Sequence, residues 1–371
     1  MTTTIIFIAI LAVLIFVHEL GHFLIAKLFK IRVDAFALGF PPTLWKKKVG
    51  ETEYKLNAVP FGGYVSIYGE NPQAEEDEVA SGAVPDTSRS FAHKNRAIQA
   101  AVLVAGITFN ILFAWVLLSL GYAIGLPASV EGTRYPEQVV DAVLTVTTVK
   151  PESPAQGAGI LSGDKILFVG TPTEGVEMPT QQEVSNFIAT HGENELTLLI
   201  MRENVRQAVL VTPALGIIAD APAIGIGMDT IGTLRLSVWQ SALEGARFTA
   251  VMVRETAVGT FGFLKDAFTG KARFADVSGP VGIAGLVGEA KDLGWGYLIT
   301  FTAFISVNLA VLNLLPIPAL DGGRLLFVAI EAVTRRSIPF KIAGIVNMIG
   351  FALLLLLMVV VTYRDIVKLF I

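Results

Sequence analysis

The chain has 371 residues, 53% hydrophobic and 16% charged, with mean hydropathy +0.62 and formal net charge -4. That balance belongs to a membrane protein, and the lack of a basic stripe argues against nucleic acid as a partner. Cysteine is absent, so disulfides and thiolate metal ligands are excluded, and any zinc must use histidine and carboxylate.

Met1-Thr2-Thr3-Thr4 has no basic residue and no small-residue cleavage site. A removable signal peptide is therefore disfavoured, and the first apolar run is expected as a retained span. Four runs are long enough to cross hydrocarbon as helices: 5–29, 98–126, 297–320 and 342–363. The first contains His18-Glu19-Leu20-Gly21-His22, the pattern H-E-x-x-H. Two imidazoles four residues apart on a helix lie about one turn from each other, on one face. They can hold one zinc ion, with Glu19 placed to take a proton from a water that the ion activates. Ionisable groups inside a spanning helix mark a functional site.

Lys27, Lys30, Arg32, Lys46, Lys47, Lys48, Lys55, Lys94 and Arg96 fall between spans one and two. Arg324, Arg335, Arg336 and Lys341 fall between spans three and four. The positive-inside rule puts both loops in the cytoplasm, and both chain ends and the segment 132–293 outside. Residues 51–68 read as a hairpin, with Thr52, Tyr54 and Leu56 alternating before Phe61-Gly62-Gly63, and Tyr64, Val65, Ile67 and Tyr68 after it. It is either an ordinary structural hairpin or an edge that pairs with an unwound substrate segment, with Phe61, Gly62, Gly63 and Tyr64 as the candidate contacts. Residues 71–86 are acidic and carry Pro, Gly and Ser, the composition of a flexible linker.

The outer segment 132–215 has the order of a small mixed domain. A strand near Val149 precedes Ser153-Pro154-Ala155 and Ala158-Gly159-Ile160; a second strand starts near Gly163-Asp164-Lys165-Ile166. Helical spacing over 182–190 and strands over 196–201 and 207–212 follow. Residues 233–293 read as an amphipathic or interfacial segment, packed on the membrane surface, the bundle or the outer domain. Within it, 281–287 is too short and Gly-rich to span.

Two histidines do not complete a zinc site. His93 lies in a basic loop and His191 in the outer segment, so Asp321 is the better third ligand. It follows Pro316 and Pro318, which cannot continue a helix, and broken backbone at membrane depth belongs where it lines a buried or wet cavity. The competing reading makes Asp321 a helix N-cap before a glycine turn. Asn313 is either an oxyanion donor or a helix-packing amide.

The pattern His18-Glu19-Leu20-Gly21-His22, the stretch Asn313-Leu314-Leu315-Pro316-Ile317-Pro318-Ala319-Leu320-Asp321-Gly322-Gly323 and the order of spans together resemble the site-2 protease family of intramembrane zinc metalloproteases. Within it, the chain is most similar to the bacterial regulator-of-sigma-E protease group. The resemblance implies a polytopic α-helical membrane protein with four transmembrane helices, a cytoplasmic membrane-associated β-hairpin and one extracytoplasmic PDZ-like α/β domain. The expected division is 1–126 for the first two spans and hairpin, 132–215 for the PDZ-like domain, 233–293 for the interfacial segment and 297–371 for the last two spans. It further implies a zinc metalloendopeptidase of the bacterial cytoplasmic membrane, with Zn2+ on His18, His22 and Asp321 and with Glu19 and Asn313 catalytic. The expected partners are membrane lipid, single-pass substrates cut in or near their spanning helix, and peptide C-termini at the PDZ-like domain. Typical substrates are pre-trimmed anti-sigma factors and, in some bacteria, signal-peptide remnants.

Phe61-Gly62-Gly63-Tyr64 and Ser278-Gly279-Pro280-Val281-Gly282-Ile283 match further family segments. Two positions depart from the family pattern: Pro41 directly follows Gly39-Phe40, and Ile107 follows Ala105-Gly106, although Asn110 is present. The competing classes are a non-catalytic scaffold in which zinc staples two spans, and a metal-transporting or haem-type membrane protein. A purely structural site has no need of Glu19. A transport path would need further intramembrane ligands, which spans two and four lack.

Overall fold

A computed structural model describes residues 2–70, 86–192, 194–202, 204–218, 221–271 and 278–368. Most of the acidic linker expected over 71–86 lies outside them. The chain forms two compact units, one of Met1–Leu120 with Ala242–Ile371, the other of Gly121–Ser241.

Among the described residues, four helices are long and apolar enough to cross a membrane: α1 (Thr2–Leu28), α2 (Arg96–Ile124), α7 (Trp295–Leu314) and α9 (Phe340–Lys368). In the first unit, Phe7, Ile10 and Leu14 of α1 bury against Val287 and Ala290 of α6 (Pro280–Leu293) and Leu298 of α7. The glycine-rich run 281–287 is therefore part of a helix in the bundle. Gly288 packs closely there: a Cβ would lie 3.0 Å from Thr3 Cγ2. Asp365 on α9 caps this helix from outside, accepting a 2.7 Å hydrogen bond from the Gly282 amide. Helix α7 stops at Leu314, short of the expected end of span three, because Pro316 and Pro318 have no amide hydrogen for a helical bond. Helix α8 (Asp321–Thr334) restarts the chain.

Strands β1 (Val33–Val49) and β2 (Thr52–Ile67) follow α1, with the reversal at Gly50, whose φ is +63°. The expected hairpin over 51–68 is wired differently. Its two arms do not pair with each other. Ala35–Leu38 runs between them, pairing with Gly63–Ser66 on one side and Glu53–Leu56 on the other. Thr43–Val49 pairs with Thr52–Asn57, so Gly63–Ile67 forms an outer edge with no further strand beside it among the described residues. Val33, Ile67, Ala26 and Val102 share one buried cluster, which ties the base of this sheet to α1 and α2.

The second unit is β-rich. Strands β3 (Leu126–Ser129), β4 (Val139–Val149), β5 (Lys165–Gly170), β7 (Leu196–Arg202), β8 (Val205–Val211) and β11 (Ile226–Leu234) form a sheet in the order β3-β11-β4-β5-β7-β8, and β6 (Gly175–Glu177) pairs with β5. Strands β9 (Ala214–Ile218) and β10 (Ala221–Ala223) pair separately. Helices α3 (Pro154–Gly157) and α4 (Gln181–Thr190) contribute Ala155, Val184 and Ile188 to a core with Leu144, Ile166, Leu198 and Ile200. The expected strand near 165 and helix over 182–190 fall at β5 and α4. Thr180 and Glu183 close α4 with reciprocal capping bonds. Val238–Phe268 forms a single helix, α5.

Asp164 is 1% exposed and fixes this core. Arg202 grips its carboxylate with Nε and Nη2, each at 2.7 Å, and the Leu161 amide donates at 2.9 Å. The Arg202 side chain is 29% exposed, so loss of the Asp164 carboxylate costs less than the roughly 3–5 kcal/mol of a fully buried pair. Asp164→Ala is accordingly expected to release 121–241 to limited proteolysis well below the wild-type melting temperature, with zinc content unchanged.

Candidate metal centre

Helical spacing puts His18 and His22 on one face of α1, and both are under 10% exposed. Their Nε2 atoms are 3.2 Å apart. Asp321 stands in the first turn of α8 and brings Oδ2 to 3.0 Å from His18 Nε2 and 3.2 Å from His22 Nε2. Leu320, not Asp321, occupies the cap position, so the carboxylate is free of the capping role weighed above.

The break between α7 and α8 aims that carboxylate. Ala319 takes φ +74°, and its amide donates to Asn347 Oδ1 on α9 at 3.2 Å. Gly322 and Gly323 lie directly on the carbonyls of Leu315 and Ile317, where no Cβ fits. The helix thus restarts against its own broken backbone, which folds Asp321 back over α1.

The donor set fits zinc. Bonds of about 2.0–2.1 Å at tetrahedral angles set neighbouring donors about 3.3 Å apart. Asp321 Oδ2 is buried and accepts no hydrogen bond among the described residues, and the three donor atoms lie close enough together to share one cation. The tautomers agree. His22 Nδ1–H donates to the Val102 carbonyl at 2.8 Å, which leaves the Nε2 lone pair facing the cluster.

Asn110 faces His18. It is fully buried, with Nδ2 3.3 Å from His18 Nδ1 and Oδ1 unpartnered, while its carbonyl accepts a 2.8 Å bond from Ser306 on α7. A His18 that offers Nε2 to a cation carries its proton on Nδ1 and needs an acceptor there. A half-turn of the Asn110 amide supplies Oδ1 and partners the orphaned atom. Asn110→Ala is expected to weaken zinc binding about 10–100-fold in competition with a chelator. Unchanged affinity would remove Asn110 from this role. Sequence reasoning noted Asn110 without assigning it work, although an amide in an otherwise apolar span was a usable signal. The Val102 carbonyl had no signal at all. Gly106 walls the site: a Cβ there would strike His22 Nε2 and come within 2.7 Å of His18 Cε1.

Glu19 is half-buried beside the pair, and no hydrogen bond or ion pair holds its carboxylate among the described residues. Gly63, on the open edge of β2, runs past it: a Cβ on Gly63 would lie 3.3 Å from Glu19 Cγ and 2.9 Å from the Ala37 carbonyl oxygen. Phe61, Gly62 and Tyr64 belong to the same strand. Asn313 stands in the last turn of α7, half-buried and without a hydrogen bond among the described residues, and no described contact joins it to the donor cluster.

An HExxH helix buried among helices of spanning length is the mark of a membrane metallopeptidase. The model of peptidase family M50 matches residues 6–357, and the chain belongs to that family, the site-2 proteases. It is a multi-pass zinc metalloprotease. A relative from Clostridium acetobutylicum, provisionally called a zinc metalloprotease, is 35% identical over 97% of this chain and 96% of its own. The zinc metalloprotease RasP of Geobacillus kaustophilus is 31% identical over 98% of this chain and 97% of its own. RasP of Bacillus licheniformis is 30% identical, with both chains covered in full.

Proposed function

We propose that the chain cuts single-pass membrane proteins in or near their spanning helix, using His18, His22 and Asp321 as zinc ligands and Glu19 as the proton carrier. The observation that carries this reading is the Glu19 carboxylate, unpaired among the described residues, beside the three-donor cluster and the open edge at Gly63. Zinc, when bound, supplies a Lewis acid that polarises the scissile carbonyl and brings the pKa of water toward about 7. Val102 and Asn110 hold the two imidazoles in the tautomers that present Nε2. Glu19 accepts the proton of the attacking water and delivers it to the departing amine. Asn313, without a hydrogen bond among the described residues, donates to the oxygen on which charge develops.

A helical amide is shielded by its own backbone bonds, so the substrate must unwind before it is cut. The edge from Gly63 to Ile67 offers main-chain groups to such a segment, with Phe61, Gly62 and Tyr64 completing the contact. The zinc-staple scaffold has no use for Glu19. We assign the basic loops to the cytoplasm and both termini, with 132–293, to the outer face of a bacterial cytoplasmic membrane, on the distribution of lysine and arginine. Residues 132–215 are read as PDZ-like, on the strands and helix α4 that share one core. That domain would exclude substrates with bulky outer domains or hold a newly exposed C-terminus, and pre-trimmed anti-sigma factors and signal-peptide remnants are the leading substrates.

The test is a panel of truncated single-span proteins incubated with the protein in detergent, with product masses giving the cut site. Cleavage inside the apolar segment, lost on chelation and restored by zinc, is expected. Cleavage confined to soluble loops would overturn the intramembrane reading.

A further inference from the structure

A cavity rimmed by cationic side chains lies apart from the metal centre. It has a volume of about 510 Å³ and is lined by Lys27, Lys30, Ile31, Ser88, Arg89 and Lys94. Lys27 belongs to the last turn of α1, so the cavity opens where a spanning helix leaves hydrocarbon, at headgroup depth. Its floor, Ile31, is fully buried.

The walls are set by bonds that do not depend on a ligand. The Arg32 amide donates to the Arg89 carbonyl at 3.1 Å. Gln99 Nε2, at the start of α2, donates to the carbonyls of Phe91, Ala92 and Lys94 at 2.9, 3.1 and 3.2 Å. Glu51 Oε1 accepts from Lys27 at 2.6 Å and from Arg89 at 2.7 Å, which orients both cations. The Arg89 guanidinium, then Lys27, pull the Glu51 carboxyl down to about 2, so it stays ionised and offsets one of the four cationic charges. Asp86, bonded by Ser88 at 2.6 Å, is exposed nearby. Lys30 and Lys94 have no ion-pair partner among the described residues.

We propose that this cavity binds the phosphate-bearing headgroup of an anionic membrane lipid, with Lys30 and Lys94 as its principal cations. Basic pockets at the ends of spanning helices bind such headgroups, and each nearby lysine contributes about a fivefold gain. The placement at headgroup depth favours a lipid over a soluble phosphate compound.

The experiment uses the full-length protein in nanodiscs of phosphatidylcholine mixed with phosphatidylglycerol, with retained lipid counted by native mass spectrometry. One phosphatidylglycerol per chain, retained over phosphatidylcholine, is expected. The double variant Lys30→Gln/Lys94→Gln should lower that preference roughly thirty-fold or more. Lys46→Gln/Lys47→Gln, with the same loss of charge elsewhere in the same loop, should not change it. Zinc content near one per chain in both variants reports intact folding. Equal losses in the two double variants would overturn the site, leaving only general attraction. Displacement of the lipid by millimolar inorganic phosphate would make a soluble phosphate the occupant and overturn the lipid assignment. Retention that appears only after neutralising Glu75, Glu76, Asp77 and Glu78 would mean the chain's own acidic stretch fills the cavity, and would overturn it too.

Discussion

Replacing Glu19 with glutamine is expected to abolish proteolysis while leaving zinc near one per chain. General acid–base groups contribute about 10²–10⁴-fold, and here one carboxylate serves both directions of proton transfer, so the loss should reach the upper end. The side chain is half-buried and bonded to nothing among the described residues, so an isosteric amide breaks no contact. Metal analysis and single-turnover cleavage of one membrane-embedded substrate check both halves. Retained activity would take Glu19 out of the chemistry. Lost zinc would make it a structural group.

Asp321→Ala is expected to have the opposite signature. Alanine suits the first turn of α8, so the helix should persist. What disappears is one of three donors, together with the negative charge between two imidazoles. Zinc should fall from near one to about a tenth per chain or less under a chelator that leaves the wild type loaded, and activity should fall with it. Added zinc should restore the Glu19 variant to nothing and the Asp321 variant in small part. Full occupancy in Asp321→Ala would send the search for a third ligand elsewhere.

The parts of this site visible in the sequence are those set by local geometry. A four-residue spacing on an apolar helix is enough to face His18 and His22 together. Two prolines suffice to stop α7 before Asp321. Wiring between distant segments was not visible. Phe61-Gly62-Gly63 carries turn residues, yet Gly63 is glycine because strand and helix meet there, against Ala37 and Glu19. Residues 33–49, with Pro41-Pro42 and a lysine run, gave no strand signal, although their first half forms the centre of the small sheet. The run 281–287 reads as too short and glycine-rich to span; what its sequence does not show is that it lies in a packed helix capped by a carboxylate 83 residues away, Asp365. The partner of His22 is a main-chain carbonyl, which every residue possesses and no pattern reveals.

Helices α1 and α2 touch main chain to main chain at Gly21, where even a methyl group would come within 2.6 Å of the Ala105 carbonyl oxygen and 3.0 Å of the Gly106 Cα. Neither rod can roll or slide there without driving backbone into backbone. The wall behind the imidazoles is therefore an anvil. Whatever yields to admit a polypeptide must do so on the other flank of α1, along the strand that carries Gly63, and crosslinks that pin α1 to α2 should leave turnover intact.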